Sequence, residues 1–238
     1  MEAPKGMIKI DPHVHSSGVS KCSSATVQAI VDMKMSQGYD GVVLTNHCQP
    51  WYYEPPFHTI FMRKVIAEYK EMQAYANPLG FRVLLGLEVT CSRPVYSDWL
   101  LYGVTEEFLL QSPCLHALSQ EELFNYCKEH GVVMVQAHPF RNGGALKERM
   151  LNTYTDFMHG IEINCTPCDL ENWEAVVETA KKYALLTTCG TDYHSADRTF
   201  RGGTFVPDWV FTAEDLAKYL KETSQTEIFL EEKYLKLP

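Results

Sequence analysis

Short apolar runs punctuate the chain, and between them the apolar positions fall into helical spacing. Met7–Ile10, Val42–Thr45, Arg82–Leu87, Val132–Ala137 and Leu185–Gly190 each read as a buried strand. Residues 24–37 carry apolar positions at helical spacing after a serine start, and Gly38 closes them as a helix C-terminus. Residues 57–76 form a longer amphipathic helix stopped by Asn77-Pro78 and Gly80, while Cys48–Pro56 and Cys91–Ser97 read as loops. Ser119-Gln-Glu-Glu122 is a capping box opening a helix to about His130, with Gly131 after it. Further helices are expected over 169–183, with Asp169 as cap, and over 212–221. Trp99–Gly103, Gly160–Ile163, the stretch into Val206, and Glu227–Leu230 read as additional strands. Residues 141–156 are ambiguous, a loop with helical pieces.

Strand then helix, repeated, implies a parallel sheet. Six or seven such units in 238 residues fit a closed barrel better than a doubly wound sheet. The residues just past the apolar runs sharpen this. His13 and His15 come after the first run, then His47, Glu88, His138, and Asp192 with His194 after the other four. Barrel active sites gather at the C-terminal strand ends, where every one of these residues is expected. Imidazole mixed with carboxylate suits zinc, manganese or iron rather than calcium. One ion takes about three or four protein ligands, so this set implies two or three ions, with Glu88 able to bridge a pair. Paired ions about 3.5–4 Å apart clamp both oxygens of an in-line displacement at phosphorus and lower a bound water's pKa to about 7.

Composition narrows the classes. A content of 45% hydrophobic and 21% charged residues is that of a globular protein, and 238 residues fit one large domain spanning 1–238. A formal charge of −9 disfavours a broad nucleic-acid or membrane surface. No apolar run approaches the roughly 18 residues of a membrane span, and the N-terminus has no signal-peptide pattern. The eight cysteines are scattered, several inside apolar segments, and are expected as reduced thiols in a cytosolic protein. Cys165-Thr-Pro-Cys168 has no second pair and reads as two ordinary loop thiols.

Taken in order, Asp11-Pro-His-Val-His15, Leu44-Thr-Asn-His47, Gly86-Leu-Glu88, Gln136-Ala-His-Pro-Phe140 and Gly190-Thr-Asp-Tyr-His194 resemble the motifs of the PHP (polymerase and histidinol phosphatase) family. The resemblance runs over about residues 7–206. It implies a distorted (β/α)7 TIM-like barrel with a trinuclear metal site. His13, His15, Glu88 and Asp192 would hold the first ion, Glu88 and His138 the second, and His47 and His194 the third. The chain departs from the family pattern in three places. Asn46 stands where an aspartate is common, at a position that does not ligate. Asp98 stands where the second ion usually takes a histidine, and is expected to substitute for it. In the loop after His15 the third ion's ligand position falls on Lys21 or Cys22. A thiolate could ligate zinc and an ammonium could not, so two and three ions both stay open.

The activity implied is hydrolysis of a small phosphate ester, histidinol-phosphatase-like or on a nucleotide, by attack of a metal-generated hydroxide. Asp192 is a candidate for handling the leaving-group proton. Arg141 and Arg201 are the candidate phosphate-binding forks, with Arg198 weighed beside them. Glu162 is expected to orient a ligating histidine. Trp51, Tyr52 and Tyr53 could stack on a substrate ring or simply pack their loop. His58, His116, His130 and His159 fall outside the strand ends, and only His116 is placed to overhang the barrel mouth. Two rival readings differ in class: a non-catalytic metal-binding or regulatory module on the same barrel, and a barrel hydrolase acting on C–N or C–O bonds.

Overall fold

Among the described residues of the computed structural model (2–140, 155–231 and 233–238), eleven strands join in one sheet. They are β1 (Met7–Val14), β2 (Gly41–Leu44), β3 (His47–Cys48), β4 (Arg82–Cys91), β5 (Ser97–Tyr102), β6 (Val133–Gln136), β7 (Gly160–Asn164), β8 (Leu186–Gly190), β9 (Gly202–Pro207), β10 (Thr226–Leu230) and β11 (Lys233–Leu237). The order is β11-β10-β9-β1-β2-β4-β5-β6-β7-β8, with β3 paired to β4. Neighbours β1–β2, β2–β4, β6–β7 and β7–β8 are parallel, and β5 is antiparallel to both β4 and β6.

The sheet curls into a nearly closed barrel, the distorted α/β barrel expected. Closure comes at the C-terminal ends of β1 and β8. Val14 bridges Tyr193 in parallel, His15 N–H donates to Tyr193 O at 2.9 Å, and Tyr193 N–H donates to His13 O at 3.2 Å. Further down, β1 pairs antiparallel with β9 instead. There the Thr204 hydroxyl of β9 stitches to Cys189 of β8, accepting from its N–H at 3.0 Å.

Seven helices lie among the described residues: α1 (Val27–Ser36), α2 (His58–Ala76), α3 (Glu106–Gln111), α4 (Gln120–Glu129), α5 (Pro167–Leu170), α6 (Trp173–Tyr183) and α7 (Ala213–Glu222). Their apolar stripes set their orientation. α2 buries Phe61, Met62, Val65, Ile66 and Met72, spaced as one helical face. The α4 capping box forms as read from Ser119 and Glu122, and α7 carries a second one from Thr212 and Asp215. None of these helices is long and apolar enough to cross a membrane.

Several boundaries differ from the sequence reading for definable reasons. β1 and β4 run through His13 and Glu88 rather than stopping before them. Pairing to β2 and β5 continues although the side chains turn polar. α1 begins at Val27 with Thr26 as cap, because Ser24 and Ala25 give their N–H groups to His194 O at 2.9 and 3.3 Å. The helix expected over 169–183 is two, α5 and α6. Asp169 is not a cap; its carboxylate accepts from the Thr166 hydroxyl at 2.7 Å inside α5. The loop predicted over residues 48–56 opens with the short strand β3, and α3 and β11 were not foreseen. Of the ambiguous stretch 141–156, residues 141–154 lie outside the described residues, and Thr155–Phe157 make a single 3-10 turn.

Candidate metal centre

The C-terminal ends of the barrel strands bring the predicted residues into one buried cluster. β1 supplies His13, and His15 follows it. β4 supplies Glu88, β5 supplies Asp98 and β3 supplies His47. The segments after β6 and β8 supply His138, Asp192 and His194. All are buried.

Distances within the cluster test whether the set fits metal ions. His13 Nε2 and His15 Nε2 are 3.0 Å apart, and Asp192 Oδ1 lies 3.2 Å from the first and 3.1 Å from the second. Glu88 adds Oε1 at 3.7 Å from His13 Nε2 and Oε2 at 3.4 Å from His15 Nε2. Ligands of one tetrahedral ion at about 2.0–2.1 Å are separated from each other by roughly 3.3 Å. Two nitrogens and two carboxylates at these separations fit a common ion better than they fit hydrogen bonds. Glu88 Oε2 in particular is fully buried and accepts no aligned hydrogen bond.

Among the described residues, ligand atoms within 4.8 Å of one another form three groups: His13–His15–Glu88, Glu88–Asp98–His138 and His15–His47–His194. Glu88 Oε1 is 2.8 Å from His138 Nε2, and Glu88 Oε2 is 2.6 Å from His47 Nδ1, so this carboxylate touches all three groups. Asp98 Oδ2 lies 3.9 Å from His138 Nε2, so Asp98 stands where a second-ion ligand was expected.

Supporting contacts fix the cluster. The Glu162 carboxylate accepts from His13 Nδ1–H at 2.8 Å, which holds the ring with Nε2 facing Glu88 and Asp192. Its other oxygen accepts the His138 N–H at 2.9 Å and Asn164 Nδ2 at 3.0 Å. Glu162 thus sits behind two candidate ligands, as the sequence reading expected. His138 and Asp192 both have left-handed backbone, with φ 27° and 50°. Such strain at non-glycine residues costs of order 1–3 kcal/mol and concentrates at functional sites.

Charge is balanced locally. Burial opposes the charged form of His13, but the carboxylates of Glu162, Asp192 and Glu88 outweigh it and hold its pKa well above the usual range. His15 is pushed the other way, by burial and by the imidazoles of His47 and His194. Burial raises Glu88, yet His47 and His13 bring it well below the usual carboxylate range. Burial lowers His47, yet Glu88 and Cys22 raise it to about 10. Burial likewise raises the Cys22 thiol, which His194 and His47 bring down to about 6.

The candidate phosphate-binding arginines divide. Arg141 lies outside the described residues. Arg201 is exposed just before β9, its carbonyl accepting from Glu231 N–H at 2.8 Å. Arg198 reaches the cluster: its Nη1 donates to Asp192 O at 2.7 Å and lies 3.3 Å from His194 Nδ1, with the side chain 34% exposed. The aromatic loop splits too. Trp51 is exposed, Tyr53 is buried against Phe61, and the Tyr52 ring meets His47 edge-on at 6.2 Å. Tyr52 also lines a cavity of about 290 Å³ with Phe57, Ile60 and Phe61, and Lys21 and Lys64 join its lining. His116 does not overhang the mouth; it is buried against Tyr53 and Cys114.

No protein-family model and no curated protein matches the sequence. Solved structures match in fold. A two-domain protein of Bacteroides vulgatus, containing a predicted PHP-like metal-dependent phosphoesterase, is 20% identical with a TM-score of 0.68, over 98% of this chain and 69% of that one. PsfC of Pseudomonas syringae is 19% identical with a TM-score of 0.64, over 94% and 92%. The lesion-specific endonuclease PfuEndoQ of Pyrococcus furiosus is 16% identical with a TM-score of 0.59, over 90% and 56%. The chain therefore shares the fold of the PHP-like metal-dependent phosphoesterases.

Proposed function

We propose that this chain is a PHP-type phosphoesterase that hydrolyses a small phosphate ester with two or three divalent ions. His13, His15, Glu88 and Asp192 would hold one ion, Glu88, Asp98 and His138 a second, and His47 and His194 a third. The observation that carries the reading is the convergence of His13, His15, Glu88 and Asp192: the two ring nitrogens are 3.0 Å apart, and each lies within 3.1–3.7 Å of both carboxylates. A hydrogen-bonded structural cluster would give each buried carboxylate oxygen an aligned donor, whereas Glu88 Oε2 has none although ring nitrogens of His15 and His47 surround it. The nitrogen and carboxylate donors suit zinc, manganese or iron.

Ions bound there would supply a water acidic enough to attack phosphorus at neutral pH and would offset charge on the phosphoryl oxygens. The chain's own residues do the rest. Glu162 keeps the His13 lone pair aimed into the site. Arg198, anchored on the Asp192 carbonyl and open to solvent on its outer side, presents a guanidinium to the incoming phosphoryl group. Asp192 lies next to that guanidinium, where it can take or return the leaving-group proton. The cavity beside Tyr52, lined by Phe57, Ile60 and Phe61 with Lys21 and Lys64 at its wall, would take an apolar part of the ester next to an anionic group. The net charge of −9 favours a small ester over a long polyanion.

The test pairs metal analysis with phosphate release from a panel of sugar, amino-alcohol and nucleotide phosphates, with an oligonucleotide and amide and lactone substrates alongside. Wild-type protein should carry metal and release phosphate. His13→Ala combined with His138→Ala should lose both. Full phosphate release by the metal-free double variant would refute the reading, and wild-type protein that binds no metal would favour a non-catalytic module.

A further inference from the structure

The loop between β1 and α1 settles which of two neighbours faces the third group of histidines. Lys21 turns outward, its Nζ 5.1 Å from the centre of the Tyr52 ring. The residues flanking Cys22 are tied to the histidines themselves. On one side the Ser20 hydroxyl lies 3.3 Å from His15 Nδ1 and accepts the His47 N–H at 3.1 Å. On the other, the Ser23 hydroxyl lies 2.8 Å from both His15 O and His194 O, and the Ser24 N–H donates to His194 O at 2.9 Å. Cys22 is thereby held beside His47 and His194, whose Nε2 atoms stand 3.4 Å apart and whose imidazoles draw its thiol toward the thiolate; its Sγ lies 3.9 Å from the Tyr52 hydroxyl at the edge of His47.

We infer that Cys22 is a metal ligand, a thiolate completing a His47–His194–Cys22 site that selects zinc. The inference rests on the reading above that the barrel mouth holds divalent ions. Two imidazoles and one thiolate make a three-ligand set with a further position open, the pattern of a catalytic zinc site. Cys22 is exposed, so the site can be reached from solvent. The other two groups offer only nitrogen and oxygen. A sulfur ligand shifts preference toward zinc and away from manganese and magnesium. The chain would therefore sort its ions, with zinc at the Cys22 site and less selective binding elsewhere.

Cobalt(II) reports on this directly, because a coordinating thiolate gives a charge-transfer band in the near ultraviolet that nitrogen and oxygen ligands do not. Metal-free full-length protein is reloaded with cobalt or zinc, desalted, and its spectrum and metal content are measured. Wild type should show the band. Cys22→Ala should lose the band and one equivalent of tightly held zinc while melting like wild type in the presence of chelator. Cys22→Asp should recover the equivalent without the band. Wild type that binds metal but shows no band, or Cys22→Ala with unchanged spectrum and content, overturns the inference and leaves the proposed phosphoesterase standing. Wild type that binds no metal overturns both.

Discussion

Replacing Lys34 with methionine should unfold this barrel more readily than any surface change, because of where the ammonium ends. Lys34 leaves the last turn of α1, a place where lysine usually meets solvent, and is instead fully buried. Its Nζ lies 2.6 Å from Asp11 Oδ2 and donates to the Thr191 hydroxyl at 2.9 Å. The other oxygen of Asp11 accepts the N–H groups of His13 at 3.2 Å and Thr191 at 3.1 Å. One carboxylate thus clamps the ends of β1 and β8, which carry His13 and Asp192. At 2.6 Å and an effective dielectric constant near 20, the pair attracts by about 6 kcal/mol. Asp11 keeps its other hydrogen bonds when Lys34 is lost, so the net cost falls to the roughly 3–5 kcal/mol typical of orphaning one buried charge. At roughly 2–4 °C per kcal/mol for a domain of this size, Tm should fall by about 10 °C. Asp11→Asn together with Lys34→Met removes both charges, and should recover to within about 1–2 kcal/mol of wild type. The assay is urea unfolding followed by circular dichroism in chelator, so that metal binding does not enter. A single variant within about 1 kcal/mol of wild type, or a double variant as unstable as the single, would refute the reasoning that the unpaired Asp11 charge dominates.

Glu162→Gln should weaken metal binding about 10–100-fold by loosening His13, read by competition with a chelating dye; unchanged affinity would deny Glu162 its orienting role. Gly190→Ala should cost about 1–3 kcal/mol. A Cβ there would sit 2.6 Å from His13 Cβ and 2.7 Å from Glu162 Oε1. Its metal content should fall with its stability, and a variant native in both would show that the pair can shift freely. The metal-free protein should be most stable near pH 6.5, the ordinary histidine value. His13 and His47 have raised pKa values, His47 to about 10, so their contribution grows as pH falls from above those values toward 6.5 and is complete below it. His15, His58, His116 and His159 are lowered chiefly by burial, so the stability they give above 6.5 is lost as pH falls further. A chelated protein whose unfolding free energy rises steadily from pH 7 to pH 5 would contradict this assignment.

The apolar runs foretold the strands because burial by apolar side chains is what periodicity registers. They failed where a strand buries polar groups. His13 and Glu88 were placed beyond strand ends, yet β1 and β4 carry them inside the ladder, Glu88 paired across to Leu100 and His47. Strand direction left no mark either: β5 was visible, its antiparallel sense was not. β3 has two residues and α3 six, too short for a period to emerge. Lys34 was silent, since a lysine in a last helical turn is ordinarily a solvated cation near the helix dipole. Arg198 and Arg201 differ by less than one helical turn in sequence. What separates them in the fold is that Arg198 reaches the Asp192 carbonyl at 2.7 Å while Arg201 is exposed just before β9.

These misreadings fall on the residues that build the site, and the reason is energetic. The fold sets His13 and His15 with nitrogens 3.0 Å apart, stacks His15 at 4.1 Å from His47 and 4.3 Å from His194, and bends His138 and Asp192 into left-handed backbone. The backbone strain at His138 and Asp192 opposes folding by of order 1–3 kcal/mol per residue. A local rule applied to the sequence would avoid all of them. They persist because the surrounding barrel fixes them: Glu162 grips His13 and the His138 N–H together, and Asp11 with Lys34 locks β1 to β8. The scaffold holds these nitrogens and carboxylates together in advance, so a divalent ion would meet ligands already in position rather than having to gather them.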